Sequence, residues 1–80
     1  MKIMMRDGRV FQGTPKQIVQ AMQDIAMPVQ HLSQLEYIDW VVDNALRFEA
    51  IELKIEGDTV EERSASLIAE MMRHELCVDD

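Results

Sequence analysis

Two short apolar-rich runs, residues 2–5 and 10–12, flank the tetrapeptide Arg6-Asp7-Gly8-Arg9. Asp-Gly favours a two-residue type I′ turn, in which both central residues take positive φ. A hairpin closed that way sets Arg6 opposite Arg9, Met5 opposite Val10, Met4 opposite Phe11 and Ile3 opposite Gln12. Successive strand residues point to opposite faces. Ile3, Met5 and Val10 then form the expected core face. Lys2, Met4, Arg6, Arg9 and Phe11 form the outer one.

Beyond Gly13 the period changes to that of a helix. Ile18, Val19, Met22, Ile25 and Ala26 recur at the spacing of one helical face, and Pro28 bounds the run. In Thr14-Pro15-Lys16-Gln17 the threonine is placed to cap the first amides, proline occupies the first turn and Gln17 completes a capping box. Ser33-Gln34-Leu35-Glu36 starts a second helix in the same way. A wheel at about 100° per residue gathers Leu35, Ile38, Val41, Val42, Ala45, Leu46 and Phe48 in one half. Glu36, Asp39, Asp43, Asn44 and Arg47 fall on the other half, and Trp40 falls with them.

Ile51, Leu53 and Ile55 then alternate with Glu52, Lys54 and Glu56, up to Gly57-Asp58. This is the signature of a half-buried strand. Thr59-Val60-Glu61-Glu62 is a third capping box, and Val60, Leu67, Ile68, Met71, Met72 and Leu76 supply the apolar side of a last helix. Val78, Asp79 and Asp80 are expected to fray. The pattern predicts one α+β domain over residues 1–80. Its order is β-β-α-α-β-α: an N-terminal hairpin, two helices, a third strand and a C-terminal helix, with the helices on one face of a small sheet.

Composition narrows the classes of function. At 80 residues and 48% hydrophobic content, the chain is long enough for one small core and too apolar for a disordered segment. A lone Cys77 gives no disulfide framework and, with seven methionines, fits a reducing cytoplasm. The first residues lack the apolar stretch of a signal peptide, and no run is long enough to span a membrane.

The net charge is −7, unevenly spread. Lys2, Arg6, Arg9 and Lys16 face Asp7 alone in residues 1–16, while the remainder is strongly acidic. That balance disfavours binding to nucleic acid, although the hairpin residues Lys2, Arg6, Arg9 and Phe11 form the basic, aromatic patch such binding would use.

No phosphate loop, nucleophile–base pair or metal set is present, so neither a cofactor nor catalysis is expected. Glu70, His74 and Cys77 share one side of the last helix. Zinc sites draw paired ligands from two elements, so these three read as a solvated face and a half-buried thiol. Cys77 near a helix C-terminus is also poorly placed to ionise. Trp40, on the polar side of the second helix, is the stronger clue. Tryptophan is enriched at binding hot spots. The expectation is a non-catalytic interaction module, binding itself as a homodimer or another protein. Trp40 and Tyr37 would be its anchors, with Glu36, Asp43 and Arg47 as its rim.

Overall fold

Each helix begins where its capping box places it. In the computed structural model, which describes residues 1–80, the Thr14, Ser33 and Thr59 hydroxyls accept the amides of Gln17, Glu36 and Glu62. Those three side chains reach back to the cap amides. The helices are α1 (Pro15–Asp24), α2 (Gln34–Glu49) and α3 (Val60–Arg73). A single 3-10 turn, Val29–His31, joins the first two. The buried Gln23 fixes it, its Nε2 donating to the carbonyls of Val29 at 3.1 Å and Leu32 at 2.7 Å.

The sheet is three-stranded and antiparallel, with order β2-β1-β3. β1 (Lys2–Met5) and β2 (Val10–Gln12) form the expected hairpin, but β3 is Cys77–Asp79 rather than residues 51–55. The fold class is therefore α+β, with helices on one face of a small sheet, while the third strand follows the last helix.

Residues 51–55 keep their alternation: Leu53 is buried, and Ile51 and Ile55 are half-buried. Their neighbour is a helix. The amides of Lys54, Glu56 and Asp58 donate to Glu70 Oε1, Ser66 Oγ and Glu62 Oε1 at 2.8, 2.9 and 3.1 Å. Two residues of extended chain advance about 6.7 Å, and four residues of helix about 6 Å. Side chains spaced by four on α3 thus accept alternate amides of the extended segment, as a neighbouring strand would.

The chain end is ordered because α3 stops in a Schellman motif. Leu76 N–H donates to Met71 O and Glu75 N–H to Met72 O, with Glu75 in the left-handed region at φ +60°. That reversal lays Cys77, Val78 and Asp79 against Met5, Met4 and Ile3.

The hairpin register differs from the expected one by one residue. Ile3 pairs with Phe11 and Met4 with Val10. Gly8 N–H donates to Met5 O, Met5 N–H donates to Arg9 O, and only Gly8 in the loop has positive φ, at +91°. This is a three-residue loop with a left-handed glycine, whereas type I′ needs positive φ at Asp7 as well. A one-residue slip exchanges the faces of a strand. Phe11 turns inward beside Ile3, and Val10 turns outward. The outer face carries Val10, Met4 and Val78 in one row across the three strands, all of them exposed. On the inner face α1 packs on β2 and α3 on β3. The core gathers Ile3, Ile18, Ile38, Leu67 and Ile68 at its centre.

Candidate functional site

The buried stripe of α2 runs through Tyr37, Ile38 and Ala45, with Val41 and Val42 half-buried. It is rotated toward Tyr37 from the face the wheel selects. Leu35 and Leu46, assigned to the core by that wheel, lie exposed, and Phe48 is 78% exposed. Phe48 sits in the last turn of a 16-residue helix, past the end of the core that covers the earlier turns.

Tyr37 is 3% exposed, so it lies beneath the surface patch proposed for it rather than within it. Its hydroxyl is pushed up to about 12 by burial. Trp40, one turn on, stacks over it with ring centroids 5.8 Å apart and planes at 20°. Such an i, i+3 aromatic pair contributes about 0.5–1.5 kcal/mol beyond its area. Trp40 itself stays 37% exposed.

Between this flank of α2 and the hairpin turn lies an open cleft of about 440 Å³. Tyr37, Trp40, Ala45 and Phe48 form its helical wall. Met5, Met22, Met71 and Leu76 bring sulfur and aliphatic surface from β1, α1, α3 and the turn after it. A smaller hollow of about 180 Å³ continues past Tyr37 toward Phe11, Ile25 and Ala26, sharing Met5, Asp7 and Met22 with the first. The polar groups are Arg6 and Asp7 on the hairpin side and Asn44 and Glu49 on the helix side.

Arg6 ties the cleft together at its rim. Its Nη1 donates to Glu49 Oε1 at 3.1 Å, and its Nε donates to Glu75 O at 3.0 Å. Hairpin turn, α2 C-terminus and α3–β3 turn therefore meet at one guanidinium. Asn44 Nδ2 donates back to Trp40 O at 2.7 Å. The other side chains expected at the rim flank the aromatic wall on its solvent side: Glu36 holds the Ser33 cap, and Asp43 pairs with Arg47 at 3.2 Å.

The basic face expected on the hairpin is divided. Lys2 lies on the outer sheet face and pairs with Asp80 at 3.6 Å, Arg9 pairs with Asp7 at 3.5 Å, and Arg6 is engaged at the cleft. Phe11 is half-buried on the core side. No single surface presents Lys2, Arg6, Arg9 and Phe11 together.

On α3, Glu70 accepts from Arg73 and from the Lys54 amide, which hold its carboxyl down at about 2. His74 Nε2 lies 3.2 Å from an Arg73 nitrogen. Cys77 is buried, and burial raises its thiol.

No helix is long and apolar enough to cross a membrane. No protein-family model matches the chain, and no curated protein or solved structure compared with it is significantly similar.

Proposed function

We propose that the chain is a non-catalytic protein-interaction module that receives apolar side chains of a partner in the cleft between its hairpin turn and α2. The observation that carries this reading is an apolar cleft left open beside two exposed aromatic rings, Trp40 and Phe48, on one helix. A cleft of this size falls in the range that takes a large side chain or a small molecule. Tryptophan beside a preformed hollow is the usual composition of a binding hot spot. The polar groups at the rim are engaged mainly with one another, in keeping with a recognition surface rather than a reactive centre.

The methionines supply the test. Met5, Met22 and Met71 line the cleft, whereas Met1, Met4 and Met27 are exposed elsewhere. In a methyl-labelled sample, titration with capped leucine or phenylalanine amide is expected to shift the first three methyls and leave the second three in place. Uniform shifts, or none at millimolar ligand, would sink the reading. Sedimentation over a concentration series asks in parallel whether a second copy of the chain occupies the cleft.

A further inference from the structure

Resting on that reading, we infer that the partner segment is an amphipathic helix with a basic polar face, laid along α2 with its apolar side chains in the cleft. The shape of the cleft points to a helix. Its α2 wall runs from Tyr37 to Phe48, about 16 Å at 1.5 Å per residue. That length matches about three turns of a second helix. A helix held in a groove is anchored by side chains at i, i+3 or i+4, and i+7.

The floor points the same way. Met5, Met22 and Met71 come from three different elements. Unbranched, polarizable thioethers re-pack around differently shaped apolar groups, which is why methionine recurs on adaptable helix-binding surfaces.

Charge selects the polar face of that helix. Among the residues that rim the cleft, its continuation and the solvent side of its α2 wall, Asp7, Glu36, Asp43 and Glu49 outnumber Arg6, Arg9 and Arg47. The chain as a whole carries −7. Asp7, Asp43 and Glu49 are exposed and held by surface ion pairs, so an incoming lysine or arginine can share or exchange partners there at little cost, while Glu36 keeps the Ser33 amide. A basic helix is also steered toward this surface by the field of the molecule, and salt should weaken its association. An acidic helix with the same apolar stripe meets like charge at the rim.

Three synthetic capped 16-residue peptides test this. One has leucines at helical spacing with lysines elsewhere. The second has the same leucines with glutamates. The third is a scramble of the first. The lysine peptide is expected to saturate the Trp40 emission change and to shift the methyls of Met5, Met22 and Met71. Its affinity should exceed that of the glutamate peptide and of the scramble by at least about tenfold, and should fall by a similar factor from low to high salt. Phe48→Ala alters a ring that is 78% exposed, so the fold should persist, while affinity should drop several-fold.

Equal binding of the lysine and glutamate peptides in the cleft overturns the basic-helix inference and leaves the interaction reading standing. So does a dimer of the chain that Phe48→Ala dissolves. Methyl shifts scattered over the acidic surface, or scrambled peptide binding as well as the ordered one, also overturn the inference. If capped leucine and phenylalanine amides also fail to reach the cleft, and the chain stays monomeric, the interaction reading falls with it.

Discussion

Ala50 ends α2 in the left-handed region at φ +55°, where a Cβ crowds the following carbonyl. Glycine avoids that clash but makes the unfolded chain freer. The balance favours Ala50→Gly by about 0.5–1 kcal/mol, visible as a rise of a few degrees in thermal midpoint for a domain of this size. A fall in midpoint would show that Ala50 is not held in that conformation. Gln23 carries the opposite kind of weight. Its amide is 1% exposed and serves two carbonyls of the 3-10 turn. Gln23→Leu fills similar space but strands the Leu32 carbonyl, while Val29 O keeps the Leu32 amide at 3.2 Å, and one such group left unpaired costs about 1–3 kcal/mol. Urea unfolding of the variant should show a clearly lower midpoint, and an unchanged midpoint would mean that the turn is satisfied without Gln23.

The segment from Ile51 to Asp58 hangs on α3 through carboxylates and a hydroxyl, so its attachment depends on pH. Glu70 is lowered to about 2, first by Arg73 and then by the Lys54 amide, against an ordinary value of 4.5. A depressed folded value means that Glu70's contribution is whole above pH 4.5 and is lost as pH falls toward 2. Glu62, lowered first by the Asp58 amide and then by the Thr59 cap, and Glu36, lowered by the Ser33 amide of its capping box, act in the same direction. Urea midpoints measured from pH 7 to pH 2 should fall below 4.5, and Glu70→Gln should flatten that fall. An identical acid profile in the variant would place the acid sensitivity elsewhere.

The same segment shows what the sequence made legible. Capping boxes are local, a hydroxyl meeting an amide three residues on, and all three were readable at Thr14, Ser33 and Thr59. The alternation at 51–55 reports that one side is buried but not whether the neighbour is a strand or a helix. Asp7-Gly8 serves a two-residue or a three-residue loop equally well, so the register and the fate of Phe11 and Val10 were beyond its reach. Trp40 was legible as an anomaly on its helix. The cleft was not, because Met5, Met22, Phe48 and Leu76 converge only once hairpin and helices have docked.

The accessible surface of the whole molecule, 5021 Å², is close to the ~5,000 Å² that the scaling for folded monomers gives at 9.3 kDa. The cleft therefore lies on a chain folded to the compactness expected for its size. Cys77 reports on that fold from its seam. It is 2% exposed, on the inner face of β3. A disulfide reagent should label it at least ~10³-fold more slowly than a free thiol, the lower end of what a native domain's stability provides. Labelling should accelerate with urea as global unfolding does. Rapid labelling in the absence of urea would mean that β3 opens by itself.

β1 lies between β2 and β3, and the Asp80 amide donates to Lys2 O at 3.0 Å. Residues more than seventy positions apart are thus neighbours in one ladder. A chain emerging from a ribosome can close its hairpin and wind its helices in turn. The hairpin's inner strand must then wait, one edge bare, until residues 77–79 are free to reach it. The slow and vulnerable moment in the life of this protein is therefore set by the most distant pairing in its sheet, and it comes only after all three helices have been made.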